Sequence, residues 1–148
     1  LDRTVLSACL IFPILEREID TQYLSKQYAP HIGEILLLTD ALLDAVVITS
    51  FSHFPRRISS GTAFVLSTQY RLTPLSGKRH QRPKLMLNKE FPLAMQFFRV
   101  RAMLDPSLEE AYRSWKQAYL HLERASNESR RQHPHPHRRQ NQHADTNK

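Results

Sequence analysis

Residues 32–51 read IGEILLLTDALLDAVVITSF. Ile35, Leu36, Leu38, Leu42, Leu43, Val46 and Val47 recur at the three- and four-residue spacing that lines up side chains along one side of a helix. Glu34, Asp40 and Asp44 fall off that stripe, so the segment reads as an amphipathic helix offering one face to a core. The β-branched run Val46-Val47-Ile48-Thr49 would suit a strand, but no nearby segment offers a partner strand, and helix is expected throughout.

The pattern extends in both directions. Residues 3–19 form a helix that is apolar over most of its circumference (Val5, Leu6, Cys9, Leu10, Phe12, Ile14, Leu15) and so is expected to be well buried, with Pro13 kinking or dividing it. Pro55-Arg56-Arg57 is a break, and Ser59 or Ser60 can cap a helix over 60–72. Pro74, Gly77 and Pro83 make 73–84 a loop or a set of turns. Pro92 suits the first turn of a helix over 91–104, where its missing N–H costs nothing. Asp105-Pro106 starts the next helix, whose stripe is Leu108, Ala111, Tyr112, Trp115, Tyr119 and Leu122. From Ser126 the apolar signal stops in a tail of Arg, His, Gln and Asn, expected to be disordered alone. The fold class is therefore all-α: a bundle of about five helices with a basic loop, a body over 1–125 and a basic tail over 126–148.

With 148 residues the chain is one domain or part of a larger one. It opens on Leu1 without a methionine and enters a helical pattern at once, as an excised piece of a longer protein would. No run reaches the ~20 apolar residues of a membrane span, and no signal-peptide pattern is present. Cys9 is the lone cysteine; it excludes an intrachain disulfide, favours a cytoplasmic setting, and in its apolar segment reads as a small core residue. With glycine only at 33, 61 and 77, there is neither a P-loop nor a dinucleotide fingerprint.

Charge is the second informative feature. Residues 71–101 hold Arg71, Lys78, Arg79, Arg82, Lys84, Lys89, Arg99 and Arg101 against the single acid Glu90, a net +7 that equals the net charge of the whole chain. A basic block on a near-neutral body concentrates its field on one surface and points to a polyanion, nucleic acid first; a solvated loop is the alternative. Tyr70 is the nearest residue able to stack on a base, although its place in a helical pattern suits core packing equally. Without exposed aromatics, the surface reads phosphates rather than sequence.

Enzymatic chemistry is not legible. Asp40 and Asp44 share a helix face, as paired metal ligands would, but lie in an apolar helix with no phosphate-cradling loop before them, and read as its polar edge. His133, His135, His137 and His143 lack the Cys and carboxylate spacing of a closed zinc site and add switchable charge to the tail. His31, His53 and His121 have surface or capping roles.

The order of segments resembles the C-terminal part of bacterial poly(A) polymerases, relatives of the CCA-adding tRNA nucleotidyltransferases. The pieces that carry the resemblance are Ala8-Cys9-Leu10-Ile11-Phe12-Pro13-Ile14-Leu15, Phe54-Pro55-Arg56-Arg57, Gly77-Lys78-Arg79 followed by Lys84-Leu85-Met86, the stretch Phe91 to Arg101, Trp115, and the Arg-rich tail. Gln96 stands where the family usually has Asp, and Pro92 where it often has Arg. The resemblance covers most of 3–139. It implies a helical body and tail that hold an RNA primer, with ATP and Mg²⁺ on a catalytic head whose Gly-Ser turn and Asp-x-Asp pair are not found in this sequence.

The expectation is thus a non-catalytic, RNA-binding C-terminal part of a nucleotidyltransferase that adds adenylates to RNA 3′ ends in mRNA processing, with no cofactor in this chain. Its partners would be single-stranded RNA 3′ ends, the missing head, and further proteins. Arg56, Arg57, Lys78, Arg79, Arg82, Lys84 and Arg101 are the candidate phosphate contacts, and Arg130, Arg131, Arg138 and Arg139 add non-specific attraction. Arg101 has a second reading, pairing with a core-edge carboxylate such as Asp40 or Asp44. The rival functions are a helical protein–protein adaptor and a non-functional truncated remnant.

Overall fold

The computed structural model describes residues 2–48, 55–77 and 83–132. Among these the chain is all α-helical, with α1 (Arg3–Gln22), α2 (Ile32–Leu43), α3 (Arg56–Leu72), the single turn α4 (Pro83–Met86), α5 (Phe91–Leu104) and α6 (Glu109–Gln132).

Local chemistry sets the ends of these helices. Asp2 caps α1 by accepting from the Thr4 N–H at 2.7 Å. Asp105 accepts from the Ser107 N–H at 2.9 Å and opens a short 3₁₀ turn that leads into α6. Pro13 lies inside α1, which continues through it with Pro13 on the exposed side. α2 ends at Leu43 and passes into a π-helical turn over Asp44–Ile48, so the β-branched run stays helical as far as Ile48. Residues 49–51 of the expected helix lie outside the described residues. α3 begins at Arg56, four residues before the expected start, because extended Pro55 serves as its N-cap and Gly61 falls in the second turn. α6 runs through Gln132, past the expected boundary at 125, in a stretch free of Pro and Gly that ends just before His133-Pro134.

Two clusters make the core. In the first, Val5, Ala8, Phe12, Leu15 and Ile19 of α1 meet Ile35 and Leu43 of α2, Val65 and Leu66 of α3, and Ala94 and Phe97 of α5. In the second, Leu72, Leu85, Met86, Phe91, Met95 and Phe98 close on Ala111 and Trp115 of α6. α5 belongs to both, which explains why its sequence is apolar on opposite sides. α1 is buried along one face only: Leu10 is 76% exposed, contrary to the expectation of burial around most of its circumference, because α2, α3 and α5 all pack on the opposite side. The stripe read on α6 is the face that packs, and the indole N–H of Trp115 donates to the Leu72 carbonyl at 3.0 Å.

Candidate nucleic-acid interface

One face of α3 carries Arg57, Ser60, Phe64, Thr68 and Arg71, at steps of three and four residues. At 1.5 Å per residue this face separates its two arginines by about 21 Å. α4 and the turn after it bring Lys84, Leu85, Asn88 and Lys89 alongside. The result is a furrow of two adjoining depressions, about 380 and 410 Å³, which share Phe64 and Asn88. Arg57 and Lys89 line one, Arg71 and Lys84 the other, and Glu90 is the acid among the lining residues. Lys84, Lys89 and Arg57 are exposed, and Phe64 is half-buried at the floor.

Cations on both walls of a groove raise the local concentration of a polyanion and suit a phosphodiester backbone. Arg57 stands in the first turn of α3, where the helix dipole opposes a cation. Its charge helps hold the Asp2 carboxyl below the usual carboxylate range, after the larger effect of the two Thr4 hydrogen bonds.

The remaining candidates divide. Arg56 is exposed beside Arg57 but is not among the residues lining the furrow. Lys78, Arg79 and Arg82 lie outside the described residues, in a segment whose neighbours Gly77 and Pro83 are described. Arg130 and Arg131 fall in the last turns of α6, and Arg138 and Arg139 lie outside the described residues.

Arg101 does not join Arg99 on the surface. Its guanidinium sits 4.5 Å from the centre of the Phe12 ring and 5.9 Å from that of Phe98, and donates to Gln69 Oε1 at 3.2 Å. Gln69 is fully buried and spends its amide group on the Val65 and Ala94 carbonyls. The structure therefore places the half-buried Arg101 guanidinium against the core edge rather than beside the furrow cations. The carboxylates that act on it are Glu16 and Asp105, not Asp40 or Asp44. Gln96 is exposed, so the hydrogen bonds between α3 and α5 run through Gln69 instead.

Tyr70 packs on Phe12 with ring centres 6.0 Å apart, its hydroxyl buried without a partner among the described residues and burial pushing its ionisation up. Burial also raises the Cys9 thiol, which packs against the first core cluster. Asp40 and Asp44 are both exposed. Among the described residues no three His, Cys, Asp or Glu gather as metal ligands, and no helix is long and apolar enough to cross a membrane. The tail histidines lie outside the described residues.

The sequence reading counted Lys89 and Arg71 in the basic block without naming either among the candidate phosphate contacts, and it did not connect Phe64 with the site. The signal that places Arg71 was present as the helical period of Arg57, Ser60, Phe64, Thr68 and Arg71.

A family model described as the polymerase A arginine-rich C-terminus matches residues 40–148. That range contains every furrow cation, and leaves outside the match both α1, with its Ala8–Leu15 piece, and the first part of α2, with the furrow residue Leu36. No curated protein and no solved structure matches the chain. The match covers well over half of the sequence and agrees with the motifs read from it; the chain belongs to the family of the arginine-rich C-terminal region of poly(A) polymerase.

Proposed function

We propose that this chain is the RNA-holding part of a poly(A) polymerase-like nucleotidyltransferase, which adds adenylates to RNA 3′ ends in the cytoplasm. The observation that supports it is the furrow, where Arg57, Arg71, Lys84 and Lys89 converge from two walls. Lys78, Arg79 and Arg82 belong to the same basic stretch of sequence, between Arg71 and Lys84, and the tail arginines add a diffuse attraction. ATP and Mg²⁺ belong to a separate catalytic head, and the contribution of this chain is to bind and orient the strand. In such a furrow the contacts go to phosphates, so affinity falls steeply with salt and depends little on base order.

The test is fluorescence-anisotropy titration of single-stranded A-rich RNA and duplex DNA across a salt series. Binding that prefers the single strand and weakens steeply with salt is expected. Absence of binding at low salt would reduce the family membership to ancestry.

The protein–protein adaptor reading is favoured by one observation, the exposure of Leu10, Leu37, Met103 and Leu104. It calls for a defined protein complex that survives ribonuclease.

A further inference from the structure

A third cavity, about 380 Å³, lies where the start of α2 faces the end of α3. Its walls include Pro30, His31, Ile35, Pro74 and Leu85, with Arg71 at one side. Arg71 and Leu85 also line the furrow, so the two spaces are neighbours across these side chains. The volume falls in the range of small-ligand sites, roughly 300–1,000 Å³, and the mixture of apolar walls with a few polar groups is typical of them.

The rim is tied down on both sides. The Glu34 carboxylate accepts from the Tyr28 hydroxyl at 3.0 Å and from the His31 backbone N–H at 2.7 Å, which fixes the 28–31 segment against α2. Opposite, the Gly77 N–H donates to the Pro74 carbonyl at 3.0 Å, closing a turn that the chain leaves with a positive φ at Gly77. Tyr28 meets the His31 ring edge-on at 6.5 Å and is 43% exposed, so an accessible aromatic ring stands beside a residue of the cavity wall.

We propose that this cavity receives an unpaired base of an RNA strand whose phosphates lie along the furrow, with Arg71 holding the phosphate where the strand turns inward. The inference rests on the furrow reading and supplies a physical basis for the single-strand preference expected of it. Unpaired RNA bases are recognised by being splayed out and stacked, whereas bases in a duplex cannot leave the stack without cost. The fixed rim means that little ordering is needed on binding.

The experiment compares two oligomers of equal length on the full chain at one salt concentration: an A-rich RNA and a ribose-phosphate chain without bases. The expected result is about tenfold tighter binding of the base-bearing strand, the size of a single stacking contact. Ser76→Trp and, from the next position of the same turn, Leu75→Trp put a ring into the cavity and should bring the base-bearing strand down to the affinity of the abasic one. Thermal unfolding of both variants checks that they fold. Equal affinity of the wild type for the two oligomers would overturn the base site and leave the furrow standing, and so would a preference that persists in both folded variants. If the wild type binds neither oligomer, the furrow reading fails and the base site fails with it.

Discussion

Trp115 of α6 donates its indole N–H to the main-chain carbonyl of Leu72, the last residue of α3, at 3.0 Å. The bond is buried and spans 43 residues of sequence. It ties the last helix to the end of the furrow face, one residue beyond Arg71. The Phe91 ring packs on the same indole with centres 6.3 Å apart, so the second core cluster closes around this point.

Replacing Trp115 by Ala should cost about 3–5 kcal/mol, the usual range for deleting a large buried aromatic. Trp115→Phe keeps most of the packing but leaves the Leu72 carbonyl without its donor, and should cost about 1–3 kcal/mol. Urea denaturation of the two variants checks both figures.

Arg101 and Lys84 should separate stability from binding. Arg101→Met removes the donor to the buried Gln69 amide oxygen and the cation over Phe12, and should destabilise by about 1–3 kcal/mol while leaving the RNA salt dependence unchanged. Lys84→Met should do the opposite, since Lys84 is exposed in the furrow wall. A salt slope that falls in Arg101→Met would return Arg101 to the interface.

Charge reversal of Lys84 and Lys89 together should flatten the slope of log affinity against log salt by about 1.4, at ~0.7 per phosphate contact on a single strand. Reversal of Lys78, Arg79 and Arg82 together should also flatten it. An unchanged slope in this triple variant would remove that segment from the interface and leave the furrow walls as the binding surface.

Acid should weaken the fold through its helix caps. The Asp105 carboxyl is held below its ordinary value by the Ser107 hydroxyl and N–H, and Asp2 by the N–H and hydroxyl of Thr4. A carboxylate depressed in the folded state contributes stability that is fully present above its unfolded value, near pH 4, and is lost as pH falls through the folded value. The double variant Asp2→Asn, Asp105→Asn should therefore show a flatter stability profile below about pH 4 than the wild type. Thermal unfolding across a pH series measures it; parallel acid limbs would show that other carboxylates set the acid response.

The helical body was legible because its signals are local. The α6 stripe, the Asp105-Pro106 start and Pro92 in the first turn of α5 each depend on residues within one or two turns. The start of α3 was read late because a serine near a glycine is a weaker boundary than the proline that in fact caps the helix. The burial of α1 was overread: periodicity shows which residues share a face but not how many faces find partners, and Leu10 finds none among the buried core. The site divided in the same way. Arg57 and Lys84 were named from the sequence and do line the furrow; Arg101 was named too, and turned inward.

Net charge, the helical period and the absence of phosphate-loop glycines are properties of neighbouring residues and of sums. The sequence alone therefore determined an all-α chain with a basic block and a poly(A) polymerase-like order of motifs. Which cations share a groove was decided by the tertiary structure, because Arg71 and Lys84 meet only when α4 folds back along α3. The fate of Arg101 was decided the same way. A guanidinium on a helix can reach either solvent or core, and only the arrival of Phe12 from α1 and Gln69 from α3 gave it a ring to cover and a buried acceptor to satisfy.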